Sequence, residues 1–375
     1  MSSARADAVE PADGATQPRA TEPAARVLGL RPYTPEAAAD HIDLRLDANE
    51  GLPPTDEVLS TLRTITPEQL RRYPDTSALE ARIAQHSGVH ADRVIVTNGG
   101  DDAIDRVCRA VLEPGKMLLT HEPGFVMIPR GARLAGGGVR TVAWYEGPFP
   151  TDRLTALIGE DTKLLALVTP NNPTGGVIDT DSLVRIARAA SAIGAVVLVD
   201  LAYVEFADED PTPRLVGERN VVIVRTLSKA AGLAGARVGF AIAPPDIADW
   251  MRTVGAPFPV SSASLALAAA ALERRTSRDE YIESVRRQRE SLITLLAQVG
   301  GRPIASQANF VMAAFDDAGS VHRGLADEGI LVRSLSTGGG ETDALRITLP
   351  GTDAEFDRLC ASLRSVCGQA GKEAL

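Results

Sequence analysis

Short apolar runs recur through the first two thirds of the chain, at 94–96, 117–120, 164–168, 196–199, 221–224 and 238–243. They are strand-length and carry apolar residues on consecutive positions, the pattern of strands covered on both faces. Between them apolar positions recur three and four apart, as at 103–112, 181–192 and 247–254, which predicts helices. The alternation predicts an α/β fold, a mostly parallel central sheet with helices on both faces. After Pro257-Phe-Pro259 the pattern changes to a long helical stretch at 262–295, dense in Arg and Glu. Shorter strands near 309–315 and 345–349 and a closing helix near 353–366 predict a second, smaller α/β unit. The division implied is a flexible leader over 1–25, a segment over 26–50 that joins the small unit, a large domain over 51–260 and a small domain over 261–375.

Composition narrows the function classes. A chain of 375 residues with 44 % hydrophobic residues can bury two cores. Its net charge is −10 and no basic cluster appears, which argues against nucleic acid as a partner. No apolar stretch reaches membrane-span length, and residues 1–25 lack the apolar core of a signal peptide. Cys108, Cys360 and Cys367 are scattered and match neither a disulfide framework nor a zinc site, which suits the cytoplasm. His86 and His90 have HxxxH spacing, but Ser87-Gly-Val89 between them reads as a helix end. His41, His121 and His322 are isolated, so no metal is expected.

Candidate chemistry gathers where the predicted strands end, the place where open α/β sheets bind ligands. Lys229 follows the run at 221–224 in Thr226-Leu-Ser-Lys229, with Arg237 eight residues on. A lysine there can act as a free amine toward a carbonyl, while hydroxyls and an arginine suit a phosphate; a solvated lysine at a strand end would read the same. Thr97-Asn-Gly-Gly-Asp-Asp102 opens a helix after 94–96 and exposes backbone N–H groups to an anion, unless it is only a turn. Asn171-Asn-Pro-Thr-Gly-Gly176 is a specially shaped turn after 164–168. Asp200 ends the run at 196–199, with Tyr203 three positions later. A carboxylate at a buried strand tip is costly unless it meets a cation. A protonated pyridine nitrogen would be such a cation, although a lone Asp here could also cap a helix. An amine, a phosphate cradle and an acid for a pyridine nitrogen are together what pyridoxal phosphate requires.

In this order the segments resemble the fold-type I aminotransferases, which use pyridoxal phosphate, and within them the histidinol-phosphate aminotransferase-like group. The likeness covers about 28–363. Its most specific pieces are Asn171-Asn-Pro-Thr-Gly175, Asp200-x-x-Tyr203, and Thr226-Leu-Ser-Lys229 with Arg237. Leu46-Asp-Ala-Asn-Glu50 and Arg72-Tyr-Pro74 look like that group's substrate-loop motifs. Asn309-Phe310, Gly329-Ile-Leu-Val-Arg333 and Leu345-Arg-Ile-Thr348 resemble its C-terminal domain. The resemblance implies that Lys229 anchors the cofactor covalently and shuttles the substrate proton. Asp200 would keep the pyridine nitrogen protonated, and Asn172 and Tyr203 would hydrogen-bond the phenolic oxygen. Backbone groups of Gly100 and Asp101, with Ser228 and Arg237, would hold the phosphate, and Phe125 would stack on the ring. Tyr73 would reach the phosphate of a partner subunit, which implies a homodimer with shared sites. Arg346 would clamp the donor's α-carboxylate, also within reach of Asn172, and Arg333 and Tyr33 would face the far end of the substrate.

The implied reaction moves an amino group between an L-amino acid donor, glutamate for example, and a keto acceptor. Four departures bear on the substrate: Asp200-Leu-Ala-Tyr203 lacks the usual glutamate, Asn49-Glu-Gly-Leu52 replaces Asn-Glu-Asn-Pro, and Phe125 and Phe258 stand where tyrosine is common. A decarboxylase resembling threonine-phosphate decarboxylase, or an elimination or cyclisation enzyme of specialised metabolism, could use the same residues. A non-enzymatic binding protein on this fold is disfavoured by the presence of Lys229, Asp200, Tyr203, Asn172 and Arg237 together.

Overall fold

The computed structural model describes residues 21–34, 39–274, 276–336 and 343–373, so most of the expected leader lies outside the described residues. In chain order the strands are β1 (Leu44–Leu46), β2 (Val94–Thr97), β3 (Met117–Glu122), β4 (Gly138–Ala143), β5 (Thr162–Val168), β6 (Val196–Asp200), β7 (Val221–Thr226), β8 (Gly239–Ile242), β9 (Arg302–Pro303), β10 (Phe310–Ala314), β11 (Ile330–Leu335) and β12 (Ala344–Thr348). A seven-stranded sheet has the order β2-β8-β7-β6-β5-β3-β4, and a five-stranded sheet the order β1-β11-β12-β10-β9.

The large sheet is parallel except at β8, which runs against both neighbours. Its continuous apolar runs are explained by cover on both sides. Val197 and Val199 pack in one core with the helices Ser77–Ser87 and Thr180–Ser191. Val196 and Leu198 pack in another with the helices Gly99–Val111 and Pro245–Val254. The apolar pattern misses β4 because Arg140 and Thr141 break its run; it is an edge strand beside β3 and is mostly half-buried.

The helical stretch expected at 262–295 is two helices, Ser262–Glu273 and Thr276–Gln298. The first buries Ala268 and Ala271 against the large sheet, and the second buries Val285, Leu292 and Leu296 against the small one. One straight rod could not serve two cores. Helix Ser77–Ser87 ends at Gly88 in the left-handed region (φ 65°), so His86 and His90 flank a helix end rather than share a face.

The small sheet is antiparallel from β11 through β12 and β10 to β9, with β1 added in parallel to β11. The segment that precedes the large sheet thus supplies a strand to the small one. From the end of β1, residues 47–52 run directly to the carboxyl ends of the large sheet's parallel strands, and this junction holds the candidate site.

Candidate active site

The turn after β2 requires glycine at its first position, and β8 requires one beside it. Gly99 has φ 75°, and a Cβ on it would lie 2.6 Å from Arg237 Nη2. A Cβ on Gly239 would lie 2.5 Å from the Gly99 carbonyl carbon. Only bare backbone fits between Arg237 and β8. The same turn opens helix Gly99–Val111, whose first-turn N–H groups and dipole favour an anion. Arg237, itself left-handed (φ 53°), pairs through Nη2 with Asp101 Oδ2 at 3.3 Å. Both partners are about half exposed, so this pair contributes little stability. The acidic partner for Arg237 is a feature that the backbone role expected of Asp101 does not foresee.

Ser228 lies at the opposite wall of this cradle. Its Oγ accepts from Thr226 Oγ1 at 2.9 Å, and its N–H donates to the same Thr226 oxygen at 3.1 Å. Accepting from Thr226 leaves the Ser228 proton available to a second acceptor. The next residue, Lys229, is half-buried; its Nζ donates to the Ala48 carbonyl at 3.1 Å and stands 5.6 Å from the centre of the Tyr203 ring.

Asp200 ends β6, opposite Val168 of β5 and Val224 of β7, and is 4 % exposed. Burial pushes its pKa up to about 7, and the negative charge of Asp101 adds to the rise; the Ala202 N–H, 3.0 Å from Oδ1, and the Lys229 charge oppose it. A carboxyl so placed gains strongly from a further cation. Tyr203 is buried, crosses the Phe310 ring edge to face (centroids 5.1 Å apart), and accepts from Asn49 Nδ2 at 3.0 Å.

The small sheet supplies the other wall. Arg346 of β12 is buried and donates to Asn172 Oδ1 at 2.6 Å and to the Asp47 carbonyl at 2.5 Å, while its Nε is buried without a partner. Burial lowers its pKa from the usual range, although it stays a cation. Arg333 stands opposite it in the β11–β12 register, and their like charges disfavour each other. A buried arginine with one idle N–H and a second arginine alongside would suit an anionic group.

The structure therefore brings together Gly100, Asp101, Arg237 and Ser228 on one side, Asp200, Tyr203 and Lys229 below, and Asn172 with Arg346 and Arg333 on the other. Phe125 is half-buried in the loop between β3 and helix Met127–Leu134 and packs on the large-sheet core. Tyr33 is exposed but close enough for its oxygen to influence Arg346. Tyr73 makes no contact with these residues: it is 80 % exposed and stacks flat on Phe258, with centroids 4.5 Å apart and planes 13° apart.

Two further contributors have roles that the sequence does not assign. His121, which looks isolated in sequence, is buried beneath the Phe125 loop. Its Nε2 accepts from Val168 N–H at 3.2 Å, and burial holds its pKa down to about 4, so it is neutral and clamps β3 to β5. Asn49 binds Tyr203 from a left-handed backbone (φ 55°), for which Asn is among the better residues. In the sequence Asn49 belongs to the Leu46-Asp-Ala-Asn-Glu50 motif, which does not state this contact. Gly51 has its own reason: a Cβ there would lie 2.0 Å from the Lys229 carbonyl, so the usual asparagine would not fit.

These features fit pyridoxal phosphate. A glycine-lined cradle with an arginine suits the phosphate, a buried acid in need of a cation suits the pyridine nitrogen, and a lysine lies between them. Comparison with known proteins agrees. The sequence model described as aminotransferase class I and II matches residues 40–363. A histidinol-phosphate aminotransferase of Caldanaerobacter subterraneus subsp. tengcongensis is 33 % identical over 86 % of this chain and 92 % of its own. One from Paramagnetospirillum magneticum is 32 % identical over 93 % of this chain and 99 % of its own. The crystal structure of histidinol-phosphate aminotransferase from Sinorhizobium meliloti, in complex with pyridoxal 5'-phosphate, superposes with a TM-score of 0.78 at 28 % identity, covering 88 % of this chain and 92 % of that one.

Proposed function

The chain belongs to the aminotransferase class I and II family and is a pyridoxal-phosphate-dependent aminotransferase acting on small amino and keto substrates, and we propose that it exchanges an amino group between L-glutamate and a histidinol-phosphate-type partner. The relatives named for histidinol phosphate support the substrate class. The observation that carries the reading is the placement of Lys229 between the glycine-lined cradle with Arg237 and the buried Asp200 carboxyl. The cofactor, when bound, supplies an electron sink for the bond broken at the substrate's amino carbon.

Each of the protein's own groups then has a defined task. Asp200 holds a proton on the pyridine nitrogen, and its own burial makes that pairing favourable. Lys229 provides the amine that anchors the cofactor and afterwards moves the substrate proton. Asn172 and Tyr203 donate to the cofactor's phenolic oxygen. The N–H groups of Gly100 and Asp101, the Ser228 hydroxyl and Arg237 hold the phosphate, while Phe125 covers the ring. Arg346 grips the donor carboxylate, with Asn172 yielding its hold on Nη1, and Arg333 and Tyr33 meet the distal anionic group.

Assembly and organisation complete the proposal. Leu59, Leu62, Leu70, Tyr73 and Phe258 are all exposed around the apolar helix Ser262–Glu273, where Ser262 Oγ donates to the Gln69 carbonyl. Such a patch supports a two-fold dimer in which Tyr73 crosses to the partner's phosphate site. We place the start of the small domain after helix Ser262–Glu273 rather than at 261, with 26–50 completing it; the packing of Ala268 and Ala271 on the large-sheet core supports this shift. Among the described residues no helix is long and apolar enough to cross a membrane, and Cys108, Cys360 and Cys367 are free thiols, which supports a cytoplasmic setting.

The test is a rapid-mixing screen of the purified holoenzyme. L-glutamate and histidinol phosphate should each abolish the cofactor's visible band, and 2-oxoglutarate should restore it. Release of carbon dioxide from an amino-acid phosphate without transfer of nitrogen would replace the transaminase reading with a decarboxylase.

A further inference from the structure

Three consecutive residues after β1 each hold a different member of the site. The Asp47 carbonyl accepts from Arg346 Nη2 at 2.5 Å, the Ala48 carbonyl from Lys229 Nζ at 3.1 Å, and Asn49 Nδ2 donates to Tyr203 Oη at 3.0 Å. The third contact is the only one of these made by a side chain of the strap. The amide is 1 % exposed and its orientation is fixed by a small network. Asn49 N–H donates to Thr348 Oγ1 at 3.1 Å, and the Thr348 hydroxyl donates to Asn49 Oδ1 at 3.0 Å. The one proton of that hydroxyl finds its acceptor in the amide oxygen. The amide must then present N–H, not C=O, to Tyr203. Asn309 Nδ2 holds the Asn49 carbonyl at 3.2 Å and completes the clamp.

We propose that Asn49 is a positioning residue that commits the Tyr203 hydroxyl to act as a hydrogen-bond donor toward the cofactor. A phenol oxygen that already accepts from an amide cannot turn its proton toward that amide, so the proton points elsewhere. Accepting also polarises the O–H and makes it a stronger donor. Lys229, above the ring, and Arg346 are the cations that face Tyr203, and neither offers an acceptor that could compete for its proton. The inference rests on the proposal that Tyr203 faces the cofactor's phenolic oxygen. Through Thr348, the residue two places after Arg346 on β12, it also links the carboxylate-binding strand to the tuning of the cofactor.

A stronger donor stabilises the more negative form of the bound cofactor. Losing it should raise the pH at which the visible spectrum of the resting holoenzyme changes. Asn49→Gly keeps the left-handed backbone without strain, and Asn49→Asp keeps the shape but has no donor. Each should raise the spectrophotometric midpoint by about half to one unit, the worth of one hydrogen bond. Tyr203→Phe should raise it further, and adding Asn49→Gly to Tyr203→Phe should then have no additional effect. Thr348→Val, which frees the amide to rotate, should give a smaller rise of the same sign. Thermal melting of each apoprotein verifies folding. An unchanged midpoint in both Asn49 variants, with Tyr203→Phe shifted, would overturn the inference alone, as would an equal Asn49→Gly shift with and without the Tyr203 hydroxyl. If Tyr203→Phe itself leaves the midpoint unchanged, the placement of Tyr203 fails and the inference with it.

Discussion

In the large sheet the candidate residues come from five strand ends: Gly100 and Asp101 after β2, Phe125 after β3, Asn172 after β5, Asp200 at the tip of β6, and Ser228 and Lys229 after β7. Parallel strands finish on one edge, so a one-dimensional set of short motifs becomes one pocket without further instruction. In the small sheet Arg333 and Arg346 come from strand interiors, and only the antiparallel register of β11 and β12 sets them side by side. Parallel architecture collects loops, whereas antiparallel architecture pairs side chains across a ladder. In this reading the first builds the cofactor half of the site and the second the substrate half. Residues 47–49 tie the two together.

The largest expected effect lies on the cofactor side. Lys229→Ala should lower turnover by several orders of magnitude while leaving the fold intact, since it removes both the anchor and the proton shuttle. Steady-state and single-turnover assays would measure this. A variant with near-normal turnover would detach the chemistry from the β7 edge.

Asp200→Asn should separate cofactor binding from chain stability. The folded-state value near 7 is above the ordinary carboxyl value of 3.8. The folded apoprotein therefore keeps a proton that the unfolded chain has lost, and stability falls as pH rises from about 4 to about 7. Asn removes that dependence. The variant apoprotein should melt a few degrees above the parent at pH 8, from a gain on the order of 1–4 kcal/mol. Its affinity for pyridoxal phosphate should drop at least tenfold. Lower melting at pH 8 would show that ionised Asp200 is stabilising before the cofactor binds, contrary to the account.

Arg346→Lys tests the other half. A point charge cannot replace the guanidinium fork, so the donor KM should rise about tenfold or more, with pyridoxal phosphate affinity nearly unchanged. If cofactor affinity falls in parallel, the two halves of the site are not separable in this way.

The smallest effect belongs to a residue in neither sheet. Tyr73→Phe should weaken pyridoxal phosphate binding about tenfold, the worth of a hydrogen bond to a charged group. Mixing Lys229→Ala with Tyr73→Asp subunits should restore part of the lost activity, because a mixed dimer has one intact site. A verified mixed dimer with no recovery would confine Tyr73 to the surface stack with Phe258.

How much could be read beforehand follows the same division. Asp200 and Lys229 were legible because each follows an unbroken apolar run, and a charge at a buried strand tip demands a partner. Arg333 and Arg346 were reached only through resemblance, since nothing local in either strand states the register that pairs them. Asn49 stood in a recognised motif, but its contact with Tyr203 was hidden because it depends on a left-handed backbone and on Thr348, 299 residues away. His121 was hidden for a similar reason: its partner, the Val168 N–H, lies on a neighbouring strand. Helix Ser262–Glu273 was merged with its successor because apolar periodicity does not say which core a helix faces.

The central claim is that one lysine at the end of β7 anchors the cofactor. The chain has only four lysines, Lys116, Lys163, Lys229 and Lys372. Borohydride treatment of the yellow holoenzyme, followed by peptide mapping, should bleach the visible band and place the reduced cofactor on Lys229 alone. Labelling of Lys116, Lys163 or Lys372 instead, or a band that survives reduction, would contradict the account.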